Sequence, residues 1–345
     1  MGAAGLPKFR LGIDVGGTFT DAVLLREDTG EISIAKVQST PKDPSAGFLN
    51  CIRRVLEATG AESSSVAFMV HGTTVATNAI IEGRTAKTGL ITTAGFQDVL
   101  EIGRQIRPRL YDLFQDKPRP LVPRKWRLEI QERIDYKGNI IKQLDDNSVR
   151  EAAKKLKLEG VESIAVCFLH SYLNPTHEKA AANIVRQVFP EALLSISSEI
   201  RPEFREYFRM STTVLNACLM PIIKHYLDKL EIELKTTGIP TALHIMESSG
   251  GIMTSETAKE KPAYLLESGP AAGVIAAAEL GKIAGYENVI SLDMGGTTAK
   301  AGLIEKGEPK LVTEYEVGGV AHAGYVLRGS GYPLKLPVVD LVEIG

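Results

Sequence analysis

An α/β fold with at least two lobes is what this sequence predicts, and three observations carry that reading. Strand-like and helix-like segments alternate along the whole chain. Its 345 residues are more than one domain ordinarily uses. An apolar strand–turn–strand element, LGIDVGGTFTDAVLL at 11–25, is written again as ISLDMGGTTAKAGLI at 290–304, 279 residues later (293 minus 14).

In the first copy Leu11, Ile13 and Val15 alternate with Gly12 and Asp14, which is the period of a strand. Gly16 and Gly17 are expected to supply the positive φ of a tight hairpin turn, and Thr18 to Leu25 is the returning strand. Residues 66–74 predict a buried strand ending in a Gly-Thr-Thr loop, 75–82 a short helix, and 88–96 another strand with a turn. A helix is expected over 147–159, capped by Asn147 or Ser148, with Val149, Ala152, Ala153 and Leu156 on one face. Residues 163–170 read as a buried strand and 177–189 as the helix after it. Further helices are expected over 211–236 and 271–284, the second Ala-rich and opened by SGPAAG. The stretch 101–127 differs: it carries Arg104, Arg107, Arg109, Arg119, Arg124 and Arg127 with four prolines, and reads as a long functional loop or an insertion.

Composition excludes several classes of function. Hydrophobic content of 44% and charged content of 24% suit a globular protein with a real core. Forty Lys and Arg nearly balance 42 Asp and Glu, so nothing in the charge calls for nucleic acid or an anionic membrane. Cys51, Cys167 and Cys218 lie far apart without metal-ligand spacing and read as buried thiols of a reducing compartment. The start, MGAAGLPKFR, lacks the apolar core of a secretory signal, and Leu6 stands where N-myristoylation needs Ser or Thr. No apolar run approaches membrane-spanning length, so the expected location is the cytoplasm.

The repeated element carries the chemistry. A strand–GG–strand hairpin differs from the strand-to-helix turn of P-loop and Rossmann sites, and neither GxxxxGK[ST] nor GxGxxG occurs. A Gly-Gly-Thr tip offers bare backbone N–H groups and hydroxyls to phosphate oxygens. An adjacent carboxylate is compatible with phosphate only across a cation, so Asp14 and Asp293 imply hydrated Mg²⁺. Two such hairpins facing each other hold the β- and γ-phosphates of ATP from two sides: Gly16, Gly17 and Thr18 from one, Gly295, Gly296, Thr297 and Thr298 from the other.

This is the pattern of the actin, hexokinase and heat-shock-70 ATPase superfamily. LGIDVGGTFTDAVLL, VHGTTVATNAIIEG, GLITTAGFQDVLEIGRQ, VCFLHSYLNPTHE, SSEIRPEFREYFR, MESSGGIM, LESGPAAGV and SLDMGGTTAKAGLI together resemble the hydantoinase A / 5-oxoprolinase family, which includes subunits of acetone- and acetophenone-type carboxylases. The resemblance runs in order from about residue 9 to the C-terminus. It implies two ribonuclease-H-like lobes: 1–190 with the first hairpin, and 191–345 with a helical segment and the second. It also implies a hydantoinase B-type partner subunit or a fused equivalent.

Other candidates stay open on the residues alone. His71-Gly72-Thr73-Thr74 is either an anion-facing loop or a turn with Thr73 or Thr74 as helix cap; the resemblance tilts it toward the ligand. Ser268 and Gly269 read as a nucleotide contact before the Ala-rich helix, with plain capping as the alternative. His170, His177 and Glu178 read as a structural turn ahead of a metal site. Arg104, Arg107 and Arg109 bind a carboxylate or form an interface, the interface being favoured, and MESSGG at 246–251 is an active-site wall or an ordinary loop.

No nucleophile elbow or Ser-His-Asp order is present, so hydrolytic power has to come from ATP. The expected activity is that of a subunit opening a hydantoin, 5-oxoproline or lactam through a phosphorylated amide, with Asp14 and Asp293 as the catalytic carboxylates. The alternatives are a ketone carboxylase subunit and a nucleotide-driven switch without small-molecule chemistry. Lys300 stands where the first hairpin has Asp21, so the copies are not interchangeable. Only 41 residues follow Ile304 (345 minus 304), fewer than a second lobe needs. The sequence therefore predicts a truncated second lobe, weak ATP binding by this chain alone, and an exposed apolar edge around 334–345.

Overall fold

Strand β1 (Phe9–Val15) puts Leu11, Ile13 and Val15 on one face, where they share a core with Phe48, Ile52 and Val55 of helix α1 (Pro44–Thr59). The structure is a computed structural model describing residues 8–40, 43–109, 111–294, 299–322, 325–326 and 328–344. β1 pairs antiparallel with β2 (Phe19–Arg26), β2 with β3 (Ile32–Gln38), and β1 runs parallel to β4 (Val66–Thr73), which leads into α2 (Val75–Ile81). A second sheet opens with β5 (Thr88–Thr93), followed by α3 (Val99–Ile102), a long irregular stretch, and β6 (Arg127–Ile130). Next come a small hairpin, β7 (Arg133–Ile134) and β8 (Ile140–Lys142), then α4 (Asp146–Leu158), β9 (Ser163–Cys167), α5 (Thr176–Val188) and β10 (Leu193–Ile196). After α6 (Ser197–Ile200) and α7 (Glu206–Thr237), strands β11 (Leu243–Met246) and β12 (Ile252–Thr254) return to the first sheet. Helices α8 (Ser255–Glu260) and α9 (Ser268–Ala284) precede the second hairpin, β13 (Val289–Met294) and β14 (Ala299–Glu305).

The first sheet has the order β12-β11-β4-β1-β2-β3, and the second is parallel throughout, β10-β9-β5-β6. A parallel sheet needs cover on both faces. Ile91, Ile164 and Val166 pack with Val149 and Leu156 of α4, while Leu90, Ala165 and Cys167 turn the other way onto Met210, Val214 and Cys218 of α7. Helix α7 is the spine of the molecule. Its first half is buried nearly all round, and its later residues Leu219, Ile223 and Leu227 join the core of the first sheet. This is why it shows no single apolar stripe. Among the described residues no helix is long and apolar enough to cross a membrane.

Several expectations are corrected. Helix α4 starts one residue early, because Asp145 is its cap: the carboxylate accepts the Asn147 N–H at 3.0 Å, leaving Asn147 and Ser148 inside. Helices α7 and α9 begin at Glu206 and Ser268, ahead of the expected 211 and 271. Neither Gly16 nor Gly17 takes a positive φ. Gly16 is needed for close approach instead, since a Cβ there would stand 3.1 Å from the Phe19 carbonyl oxygen. The 334–345 segment is no apolar edge over its first part, for Leu334, Leu336, Val338 and Val339 are fully buried. Exposed apolar side chains line β13 instead: Ile290, Leu292 and Met294. The three cysteines are free and buried as expected.

Candidate functional site

Asp14 is the last residue but one of β1, and its Cα neighbours are Asp21 on β2 and Gly72 on β4. A side chain at the edge of a buried strand would ordinarily meet a neighbour there, but two glycines leave room. A Cβ on Gly72 would lie 2.9 Å from Asp14 Oδ1, and one on Gly269, at the start of α9, 3.1 Å from the same atom. Asp14 Oδ1 is buried and accepts no hydrogen bond. Burial first, then the negative charges of Asp21 and Asp293, push the Asp14 carboxyl up from 3.8 to about 6. A desolvated carboxylate oxygen without a donor is satisfied by a proton or by a hydrated cation.

The surrounding framework is braced from several elements. Gly16 N–H donates to the Phe19 carbonyl at 3.1 Å, while Ser39 Oγ donates to the Gly16 carbonyl at 2.7 Å and Ser39 N–H to that of Thr18 at 2.9 Å. The tip itself, Gly17 and Thr18, is exposed. Thr74 crosses back to β1, its N–H and its hydroxyl both donating to the Val15 carbonyl at 3.2 Å. Thr73 Oγ1 accepts the Val75 N–H, and Ser268 Oγ donates to the Thr73 carbonyl at 3.2 Å, tying α9 to β4. These contacts bring Asp14, Thr73, Thr74, Ser268 and Gly269 together.

His71 lies underneath and is wholly buried. Its Nδ1 is 3.2 Å from the Ile13 carbonyl and its Nε2 2.9 Å from the Tyr226 hydroxyl on α7. Both ring nitrogens are used internally, so His71 is framework. Burial drives its pKa down to about 4.

The second hairpin repeats the first with the charges exchanged. Asp293 is opposite Lys300 in the β13–β14 register, as Asp14 is opposite Asp21. Asp21 pairs with Lys36 at 2.8 Å, whereas Lys300 is ion-paired with Glu267, whose carboxylate is only 5% exposed. Glu267 holds a left-handed backbone (φ 63°), its N–H donating to Thr77 Oγ1 of α2 at 3.1 Å. Asp293 is exposed. Gly295, Gly296, Thr297 and Thr298 lie outside the described residues.

Sequence reasoning missed Gly72, Tyr226 and Glu267. Gly72 and Glu267 stand inside quoted motifs, yet nothing local marks what they face. The other candidates separate from this site. Glu178 accepts the Phe168 N–H at 2.8 Å, Ser197 Oγ at 2.6 Å and the Ser198 N–H at 2.9 Å, and His177 Nδ1 meets Glu132 at 2.8 Å, a buried structural turn. Ser248 is held by the Tyr264 carbonyl, and Gly250 packs onto Ile275 of α9. Arg124 forms a two-pronged pair with Asp98, and Arg127 is buried against Glu101 and the Val122 carbonyl.

Residues 10–189 match the pattern described as the hydantoinase/oxoprolinase N-terminal region, and residues 209–345 that of hydantoinase/oxoprolinase. The chain belongs to the hydantoinase/oxoprolinase family. Among its relatives, an uncharacterized protein of Methanocaldococcus jannaschii is 46% identical over 97% of this chain and 49% of its own length. The caprolactamase subunit alpha of Pseudomonas jessenii is 34% identical over 84% of this chain and 42% of its own. The nucleotide-free structure of acetone carboxylase, described with ATP-dependent acetone carboxylation, superimposes with a TM-score of 0.84 at 28% identity, covering 99% of this chain and 48% of that one. The hydantoinase/oxoprolinase chain thus shares the α/β fold of these enzymes and spans about half the length of the curated relatives it matches.

Asp14 and His71 make opposite contributions to stability against pH. Asp14 binds its proton more tightly folded than unfolded, so its contribution falls as pH rises from about 4 to about 6 and stays low above that. His71 binds its proton less tightly when folded, so its contribution rises between about 4 and 6.5. In the nucleotide-free chain Asp14→Asn is expected to be more stable than wild type at pH 7 by up to about 3 kcal/mol, with the difference vanishing near pH 3.5. Denaturant unfolding at both pH values checks this; equal stability at pH 7 contradicts it.

Proposed function

We propose that this chain is the nucleotide-binding part of an ATP-dependent enzyme that opens a cyclic amide such as a hydantoin, 5-oxoproline or a lactam. The buried, unpartnered oxygen of Asp14, facing glycines from β4 and α9, is the observation that supports it most. Asp14 and Asp293 are assigned to hydrated Mg²⁺, and the residues fit it: one desolvated carboxylate with a free oxygen, a second across the gap, and space kept open by Gly72 and Gly269. When bound, Mg²⁺ supplies neutralisation of phosphate charge.

A ring amide resists water because resonance stabilises it. Transfer of the ATP γ-phosphoryl group to the amide oxygen breaks the β–γ bridge, releases ADP, and leaves an imidate-like phosphate whose carbon water attacks. The ring C–N bond then breaks with the nitrogen protonated, and a second water releases inorganic phosphate from the resulting acyl phosphate. Gly16, Gly17 and Thr18, with Gly295, Gly296, Thr297 and Thr298, are assigned to cradling phosphates through N–H groups and hydroxyls. Thr73, Thr74, Ser268 and Gly269 are assigned to further contacts with the nucleotide. The work of these residues is positioning and charge neutralisation. A partner subunit of the hydantoinase B type, or a fused equivalent, is part of the proposal, in keeping with a relative named as a subunit.

The likeness to acetone carboxylase favours one second reading: the same ATP site serving a ketone and bicarbonate. Both readings are tested by ADP release from the complete enzyme, with its partner subunit, against hydantoin, 5-oxoproline, caprolactam, and acetone plus bicarbonate. Turnover that depends on a cyclic amide is expected. Dependence on the ketone with bicarbonate transfers the assignment to the second reading, and release indifferent to every acceptor defeats both.

A further inference from the structure

The arginine- and proline-rich stretch after β5 has no part in the site above. It folds back to form one side of a cavity of about 500 Å³, closed by the first turns of α7 and the antiparallel strand pair 315–317/332–334. Leu121, Tyr207 and Phe208 give it apolar walls. Ser211 and Val214 of α7 also line it, while Tyr226, twelve positions beyond Val214, meets His71. At 1.5 Å per residue the cavity lies about 18 Å along α7 from the hairpin site.

Charge bookkeeping at its walls is uneven. Glu316 is taken by the N–H groups of Gly329 at 2.7 Å and Gly331 at 3.3 Å, Glu101 by Arg127 at 2.9 Å, and Lys117 donates to the Ile102 carbonyl at 2.8 Å. Arg104, Arg119 and Asp116 remain. The Arg104 guanidinium lies 5.1 Å over the Phe208 ring and comes no nearer than 3.8 Å to Glu314. Among the described residues, the Arg119 side chain has no hydrogen bond or ion pair. At the rim, Gln105 is held at a φ of 56° next to Gly103, which approaches the Tyr207 ring. Such backbone is costly for a side-chain-bearing residue and concentrates at ligand clamps.

We propose that this cavity binds a small amino acid, with its carboxylate on Arg104 and Arg119, its short apolar body against Phe208 and Leu121, and its ammonium toward Asp116. The amino-acid class rests on the reading that the enzyme opens cyclic amides, since a lactam or 5-oxoproline yields such a product. Guanidinium groups suit a carboxylate because they donate in a planar fork.

The test is calorimetric titration of the full chain with 6-aminohexanoate and with glutamate, hexylamine serving as the probe without a carboxylate. Saturable binding of at least one amino acid is expected, with hexylamine weaker by roughly tenfold or more. Arg104→Ala and Arg119→Ala are each expected to lower the affinity by roughly tenfold, and Arg107→Ala, outside the cavity, to leave it unchanged. Because the Arg119 side chain bonds to nothing among the described residues, and only its backbone carbonyl accepts the Tyr332 hydroxyl, at 2.9 Å, its substitution is expected to leave the fold intact, which thermal melting checks. No saturable binding, equal binding of hexylamine, or undiminished binding in the Arg119 variant overturns the site. The measurement needs no ATP turnover, so it fails separately from the activity screen: binding without cyclic-amide turnover defeats only the proposed activity.

Discussion

Replacing Asp14 by alanine in the complete enzyme is expected to lower Mg²⁺-dependent ATP turnover by on the order of a thousandfold or more. The argument is electrostatic. Asp14 is desolvated, has one oxygen without a donor, and sits where two glycines hold the space open. A charge placed in that way is disadvantageous to the resting protein, and on the proposed function it becomes useful only when a cation and phosphates arrive. Removing it does not empty an apolar site, so thermal stability holds or rises while turnover collapses. Asp293→Ala is expected to act in the same direction on turnover, with little effect on stability because its side chain is exposed. Steady-state ADP release, paired with thermal melting, separates the two effects. Turnover within about threefold of wild type in the Asp14 variant removes the residue from the reaction.

Glu267→Ala is expected to destabilise the chain by roughly 3 kcal/mol, because it removes a buried carboxylate from its ion pair with the Lys300 ammonium. Lys300→Met leaves the opposite charge unpaired and is expected to cost a similar amount. The double variant Glu267→Leu/Lys300→Met is expected to recover most of the loss, since two apolar groups replace a pair whose desolvation offsets much of its attraction. A second component comes from the backbone. Glu267 has a φ of 63°, so Glu267→Gly is expected to be more stable than Glu267→Ala by about 1 kcal/mol. Urea unfolding of the wild type, Glu267→Leu, Lys300→Met and the Glu267→Leu/Lys300→Met double forms a cycle. If the losses of the two single variants add in the double, the pair is not coupled and the account fails.

In the proposed site the pair also bears on the reaction geometry, because Lys300 lies opposite Asp293 and Glu267 precedes Ser268 and Gly269. Loosening it shifts the second hairpin relative to α9 and so relative to Asp14. In the complete enzyme, both single variants are therefore expected to raise the KM for ATP as well as lower stability.

Much of this molecule was legible in short-range patterns. The two hairpins follow from period-2 apolar residues around glycine turns. The strands at 66–73 and 163–167 and the helices at 75–81 and 176–188 follow from signals spanning a few residues, which act before any distant contact forms. The carboxylates at 14 and 293 were singled out by their place beside those turns. The family, too, was written in consecutive motifs. Cap positions were read less well: Asp145 prevailed over Asn147 and Ser148 because its carboxylate reaches the second N–H of the helix.

What only the tertiary structure decided is what each of these groups faces. Asp14 is half-buried, with its Oδ1 buried and without a donor, because a glycine on a parallel neighbouring strand and another 255 residues away (269 minus 14) converge on it. Lys300 meets a carboxylate because Glu267, held in a left-handed turn by Thr77 of α2, is ion-paired with it. His71 spends both nitrogens on framework because the long helix α7 brings Tyr226 to it across the core. The arginine- and proline-rich stretch is a cavity wall because α7 and an antiparallel strand pair near the C-terminus lie against it. Burial, pairing and charge compensation depend on chain segments far apart in sequence, and their strength comes from the loss of water when those segments meet.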